Sequence, residues 1–172
     1  MVTRNHPAAD HSIFAPGPVT LRPEAPDDEA FLLGVYASTR QAELALTDWN
    51  AEMRTAFVRS QFKAMRAGYA GMFPDGQFSI ILLGGRAIGR LVIHRTAREV
   101  HVVDMALLPE FCGRGIGRRL MGDLLAEAAA AKKSVSLHVL KMNRALRLYQ
   151  RLGFVKTGEE GPYDKMAWRP PD

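Results

Sequence analysis

The sequence predicts an α/β chain built around one mixed, mostly antiparallel sheet with helices packed on it. Three observations lead there. Short apolar runs that read as strands sit on both sides of helical periodicities, in the order β α α β β β α β α β β. The three central strand candidates follow one another with short connections, which favours antiparallel pairing. The last of them, 98–108, is then followed by a helix (115–132) and another strand (135–140), and a βαβ unit requires a parallel pair.

In chain order, residues 1–17 carry Pro7, Pro16 and the polar pair Asn5-His6, and read as a loose lead-in to a single domain over 18–172. Val19–Pro23 reads as a short strand ended by proline. Pro26, Asp27, Asp28 and Glu29 suit a helix start, because proline lacks the N–H that would go unpaired and the acids complement the dipole. Phe31, Leu32, Val35 and Tyr36 continue that helix. Asp48 opens a second one, carried by Met53, Phe57, Val58, Phe62 and Met65 and expected to stop near Gly68–Gly71; its aromatics read as core. Gln77–Leu83 and Ala87–His94 flank Gly84-Gly85 as a hairpin. Ile116, Leu120, Leu124, Leu125 and Ala128 give the 115–132 helix an apolar face. Asn143–Leu152 reads as a helix capped by Asn143 and closed at Gly153, with closing strands near 154–157 and 165–168.

Composition narrows the function. The chain has 172 residues, 47% hydrophobic and 24% charged, which is globular rather than disordered. Its one cysteine, Cys112, excludes an intramolecular disulfide, and the five histidines show no metal-ligand spacing. No apolar run reaches the roughly 18–20 residues of a membrane span, and the first residues, MVTRNHPAADH, lack the apolar stretch of a secretory signal, so a cytoplasmic protein is expected. The formal net charge of +5 suits an anionic ligand, phosphorylated cofactor or nucleic acid, without choosing between them. No nucleic-acid motif is present to support the latter.

Two stretches carry chemistry. Cys112-Gly113-Arg114-Gly115-Ile116-Gly117 joins a strand to a long helix. Glycine lets backbone approach a ligand closely, and a helix start offers unpaired N–H groups with a partial positive charge, so the stretch can cradle a pyrophosphate. Arg114, Arg118 and Arg119 add full charges. It is neither a Rossmann fingerprint, since Gly117 comes one residue early, nor a P-loop, since Arg118-Arg119 stands where Lys-Ser/Thr is required. The second stretch runs from Asn143 to Phe154 and holds Tyr149. A tyrosine hydroxyl, with a reference pKa of about 10, is protonated at neutral pH and can donate to a leaving thiolate.

These two stretches resemble the signature motifs of the GNAT superfamily of N-acetyltransferases. The family's Asn-x-x-Ala-x-x-x-Tyr-x-x-x-Gly-Phe pattern is met at Ala145, Tyr149, Gly153 and Phe154, with Asn143 one residue closer to Ala145 than the pattern has it. Its Gln/Arg-x-x-Gly-x-Gly/Ala pattern is met at Gly115 and Gly117, with Cys112 in place of Gln or Arg. The resemblance implies a mostly antiparallel sheet with one splayed parallel pair and direct transfer from acetyl-CoA to a primary amine, on a small molecule or a protein. It implies that backbone at Met105, Ala106 and Leu107 places the acetyl arm, that amides of residues 112–118 hold the pyrophosphate, that Asn143 bonds the cofactor arm and that Tyr149 is the general acid. Many relatives are dimers, so a homodimer is a possible assembly. A catalytically weak CoA-binding sensor of the same fold is the alternative.

Direct transfer needs a neutral amine, which for a lysine-like group is roughly one part in a thousand at pH 7. His138 on strand 135–140 is the first candidate base, at a position similar to one holding a catalytic Glu in the family's ribosomal-protein alanine acetyltransferases. Asp104 and Glu99 are its rivals on strand 98–108, where simple alternation puts Asp104 with Ala106 on one face and His101 with Val103 on the other. The glycines and helix start would lower the Cys112 pKa, but no histidine partner is evident for a nucleophile. Arg144, Arg147 and Arg151 read as a solvated face. Tyr36, Arg40, Glu43 and an exposed Trp49 are the candidate acceptor-site residues, with Arg40 and Glu43 suited to a zwitterion.

Overall fold

A computed structural model describes residues 17–171; apart from Gly17, the loose lead-in expected over 1–17 lies outside them. Among the described residues, seven strands form one sheet in the order β1-β2-β3-β4-β5-β7-β6. They are β1 (Val19–Pro23), β2 (Gln77–Leu83), β3 (Arg86–Arg95), β4 (Glu99–Leu107), β5 (Ser134–Leu140), β6 (Val155–Glu160) and β7 (Tyr163–Trp168). Every neighbouring pair is antiparallel except β4–β5. The mixed sheet expected from the βαβ unit is therefore present. The closing hairpin is longer than expected, and its second strand, not its first, pairs with β5.

Among the described residues, four α-helices accompany the sheet: α1 (Glu29–Leu44), α2 (Ala51–Met72), α3 (Ile116–Ala130) and α4 (Ala145–Arg151). Asp28 organises the entry to α1. Its carboxylate accepts the Ala25 N–H at 2.8 Å and both terminal nitrogens of Arg22 at 2.7 and 2.6 Å. The second helix starts at Asn50 rather than Asp48, because the Asn50 Oδ1 accepts the Met53 N–H at 2.8 Å, the geometry of an N-cap. It also runs past Gly68 and Gly71 to Met72. Isolated glycines in a helix cost about 1 kcal/mol each against alanine and need not end it.

Two apolar clusters lie on opposite faces of the sheet. On one, Leu120, Met121, Leu124, Leu125 and Ala128 of α3 pack on Ile81, Leu91, Ile93, Val100, Val135 and Leu137, with Tyr149 of α4 joining them. On the other, Leu32, Tyr36 and Leu44 of α1 meet Val58 and Phe62 of α2 over Ile80. The helical spacing that marked 53–65 as core holds for Val58 and Phe62, whereas Met53 is half exposed.

One irregularity positions the site. Between β3 and β4 the pairing runs Ile93↔Val102 and then Val92↔Asp104, so Val103 is an extra residue, a β-bulge. A bulge shifts the side-chain alternation by one. Val100 and Val102 face α3, yet beyond Val103 it is Met105 and Leu107 that pack on the same cluster. Asp104 and Ala106 therefore share the α1–α2 face with His101. Strict alternation, which separates Asp104 from His101, is corrected by this bulge.

Candidate active site

The parallel β4–β5 pairing covers only Glu99↔Ser134 to Val102↔Leu137. Past Val102 the two strands part, and the gap opens as a cleft of about 240 Å³. Its floor is Val102–Ala106 and Leu137–Leu140, with Asn143 and Tyr149 from the start and middle of the α4 region. Tyr36, Thr39 and Arg40 of α1, Met65 and Tyr69 of α2, Arg90 of β3 and Tyr163 of β7 complete the wall. Of the residues singled out in the sequence, the cleft thus gathers Tyr149, His138, Asp104, Met105, Ala106, Asn143, Tyr36 and Arg40. It does not include Glu43 or Trp49.

The glycine-rich turn lies beyond the end of β4. Gly113 and Gly115 have φ of +74° and +81°. In this left-handed region a side chain costs roughly 1–2 kcal/mol, although open space surrounds both positions. Gly115 caps α3 without any side-chain cap, so the first N–H groups of α3 have no carbonyl four residues back. Arg118 and Arg119 are exposed beside them, and Arg114 lies over the Phe111 ring at 5.6 Å. Gly117 faces the α4 side, where a Cβ would meet Leu148 at 3.4 Å and Met105 at 3.6 Å. The first turn of α3 therefore packs close to the floor of the cleft.

Cys112 sits in this turn with its Sγ 3.6 Å from the Leu108 carbonyl and 3.8 Å from that of Leu107. Burial and the neighbouring Glu110 raise its pKa. The lowering expected from glycines and a helix start is therefore reversed, because burial and the Glu110 carboxylate both disfavour the thiolate.

Tyr149 is 7% exposed and its ring lies edge-on to Phe154 at 5.7 Å. Burial, with Asp104 adding negative potential, pushes its pKa up to about 12, so its hydroxyl keeps its proton. The Asn143 Oδ1 accepts the Ala145 N–H at 2.9 Å. The helix itself begins at Ala145, two residues later than its expected start.

Three histidines share the α1–α2 face. His101 stacks on Phe73 at 5.6 Å and meets the His138 ring edge-on at 5.5 Å; Phe73 also touches His94 at 5.3 Å. Burial, followed by the nearby His138 and His94, pushes His101 down to about 4, so it is neutral at pH 7. His138 opens to the cleft, with its Nε2 3.6 Å from a Glu160 carboxylate oxygen. Glu99 sits at the paired end of β4, where it accepts a hydrogen bond from the Ser136 hydroxyl. It does not face the cleft, contrary to its place among the candidate bases.

Asp104 is bound to Arg90, Nε to Oδ2 at 2.5 Å. Burial raises its pKa, and the Arg90 guanidinium opposes that rise. Arg90 and Tyr69 were not found by sequence reasoning. A lone arginine in an apolar strand was the available signal for Arg90, but nothing local tied it to Asp104. On the acceptor side, Arg40 pairs with Glu43 at 3.1 Å and lies over the Tyr36 ring at 5.2 Å. Trp49 is packed rather than exposed, edge-on to Phe57 at 5.0 Å. The stripe of Arg144, Arg147 and Arg151 is exposed.

Among the described residues no helix is long and apolar enough to cross a membrane, and no cluster of three metal-ligating side chains occurs. Compared with known proteins, residues 74–156 match the model of the acetyltransferase (GNAT) domain. An uncharacterised Mycobacterium leprae protein is 38% identical over 78 residues, 45% of this chain and 21% of that protein, so the match spans about a fifth of its length. The PaiA N-acetyltransferase of Thermoplasma acidophilum, solved in complex with coenzyme A, superposes with a TM-score of 0.66 at 16% identity, over 88% of this chain and 99% of that one. A spermidine N-acetyltransferase SpeG chimera from Vibrio cholerae and hSSAT gives 0.61 at 20% identity, over 88% and 95%. Ard1 from Thermoplasma volcanium gives 0.56 at 22%, over 90% and 99%. At these identities the likeness is one of fold.

Proposed function

Residues 74–156 of this chain belong to the GNAT acetyltransferase family, and on that premise we propose that it moves an acetyl group from acetyl-CoA directly to a primary amine. The observation that carries this reading is the open β4–β5 pair, with Tyr149 buried at its floor and left-handed Gly113 and Gly115 at the α3 start beyond it. The parted strands leave Met105 and Ala106 lining a gap, with Leu107 next along β4. Residues 112–118 carry the free amides of the α3 start together with the exposed Arg118. Both features fit a long cofactor with an amide-bearing arm and a pyrophosphate, and a neighbour of the same fold was solved with coenzyme A. Acetyl-CoA supplies an activated acyl group and a thiolate leaving group.

This chain's own residues supply position and protons. Met105–Leu107 and Asn143 hold the arm, and Cys112–Arg118 hold the phosphates. The amine must lose a proton as it is acylated. His138, open to the cleft and next to a neutral His101, takes it. The departing sulfur must gain one, and the Tyr149 hydroxyl donates it. Asp104, bound by Arg90, has one role as a fixed counter-charge and a second as the alternative base. Transfer is direct, since the raised pKa of Cys112 and its contact with carbonyls give no nucleophile.

Single-domain organisation over 18–172 and a cytoplasmic location are parts of the same proposal. Calorimetric titration with acetyl-CoA, with ATP and NAD as controls, tests it. Selective micromolar binding followed by thiol release with an amine is the expected result. No binding of acetyl-CoA would end it.

A further inference from the structure

The wall of the cleft nearest α1 and α2 holds two guanidinium groups whose hydrogen bonding is incomplete. Arg90 is 6% exposed, and its Nε is spent on Asp104. One terminal nitrogen faces the Met65 sulfur at 3.5 Å. The other, Nη1, is buried with no hydrogen-bond partner among the described residues. The Nε of Arg40 is likewise buried and unpartnered, while its terminal nitrogen reaches Glu43. Both side chains line the cleft and both lie over the Tyr36 ring, at 5.2 Å for Arg40 and 5.7 Å for Arg90.

A buried donor without an acceptor is costly, and more so on a charged group. Two such donors in the wall of one cleft, which Tyr36 and Tyr69 also line, make a site for an oxyanion. Planar guanidinium groups match a carboxylate better than any other side chain does. The sign of the cleft agrees. Among the described residues lining it, Asp104 is the one carboxylate, and Arg90 neutralises it. Arg40 is paired with Glu43 through a terminal nitrogen, and its Nε is the donor left over.

Resting on the acetyltransferase reading, we propose that the acceptor is an amine that also carries a carboxylate, and that Arg40 and Arg90 bind that carboxylate. An amino acid or a comparably small amino acid derivative meets the description. The amine then points toward the parted strands, and the aromatic wall of Tyr36 and Tyr69 receives its apolar part. A di- or polyamine does not meet it, because it brings no acceptor for the unpartnered Arg40 and Arg90 donors.

The test uses matched amines with the full-length protein: L-phenylalanine, L-phenylalaninamide and phenethylamine, then L-lysine with cadaverine, and spermidine. Two readouts are taken, kcat/KM by thiol release and binding to the protein, with and without CoA, by saturation-transfer NMR. Each carboxylate is expected to exceed its amide and its decarboxylated partner by about tenfold or more, the worth of one charge-assisted hydrogen bond. In Arg40→Gln, which leaves the Arg90–Asp104 pair in place, that ratio falls toward one. Equal or inverted ranking, no carboxylate-dependent binding, or an unaltered ratio in Arg40→Gln overturns the inference. Calorimetry with acetyl-CoA separates the two readings. If acetyl-CoA binds and amines without a carboxylate are preferred, the inference fails alone. If acetyl-CoA does not bind, the acetyltransferase reading fails, and the NMR ranking still decides the carboxylate site.

Discussion

The Nε of Arg90 on β3 stands 2.5 Å from the Oδ2 of Asp104 on β4, fourteen residues later, and both sit against the cleft. Side-chain exposures of 7% and 18% make this a largely desolvated pair. Removing one partner leaves the other charge buried and alone. Asp104→Leu is therefore expected to cost about 3–5 kcal/mol. Replacing both, as Arg90→Met with Asp104→Leu, should recover most of that loss. Urea unfolding of the three variants measures it, and additive losses would show that the two groups are not coupled.

Tyr149→Phe keeps the buried ring on Phe154 and removes only the hydroxyl. Stability and acetyl-CoA affinity should change little, while kcat falls by about 10–10³-fold, the range expected for loss of a general acid. Steady-state kinetics with calorimetry in parallel check this. Wild-type turnover would take Tyr149 out of the reaction.

His101 makes stability depend on pH. Its pKa is pushed down to about 4 in the folded chain, whereas an unfolded histidine titrates near 6.5. The unfolded state thus binds a proton that the native state refuses. The contribution is fully present above pH 6.5 and is lost as pH falls through about 4. Because the ring is partly open to solvent, the loss is on the order of 1–2 kcal/mol. Thermal melts between pH 7 and 4 should show it, and His101→Gln should flatten the curve. A parallel curve in the variant would mean that other groups carry the dependence.

His138→Ala should abolish the lower pH limb of the rate profile, since a base must be deprotonated to act. Should the limb survive with its midpoint unmoved, the proton passes to Asp104 or to water instead.

Gly115→Ala tests the cradle. At φ +81° with open space around it, the new methyl group meets no neighbour, so the penalty is conformational. About 1–2 kcal/mol of stability and a weaker hold on acetyl-CoA are expected. Melting temperature and calorimetric affinity measure the two effects separately. Unchanged affinity would remove this turn from cofactor binding.

Most of the architecture was legible along the chain because its signals are local. Apolar spacing marks α1 to α4, Gly84-Gly85 turns the β2–β3 hairpin with φ of +57° and +85°, and the motif from Asn143 to Phe154 places Tyr149. These depend on each residue's own conformational preference or on neighbours a few positions away. The acceptor side was less legible. Arg40 and Tyr36 reach the cleft, while Trp49 turns inward to Phe57, and no periodicity in α1 or its following loop separates those outcomes.

By itself, the sequence determined the mixed sheet, the glycine turn before a long helix, and the placing of Tyr149 on a short helix just after Asn143. Tertiary structure alone decided three things. It seated β7 between β5 and β6, a choice of long-range pairing that strand propensity does not encode. It inserted Val103 as a bulge, which rephased β4 and carried Asp104 to the face that His101 occupies. It then brought Arg90 against that carboxylate. The physical reason is common to all three: register and burial are set by the partner strand and the packed faces around it, and a one-residue shift in pairing reverses the face of every side chain beyond it.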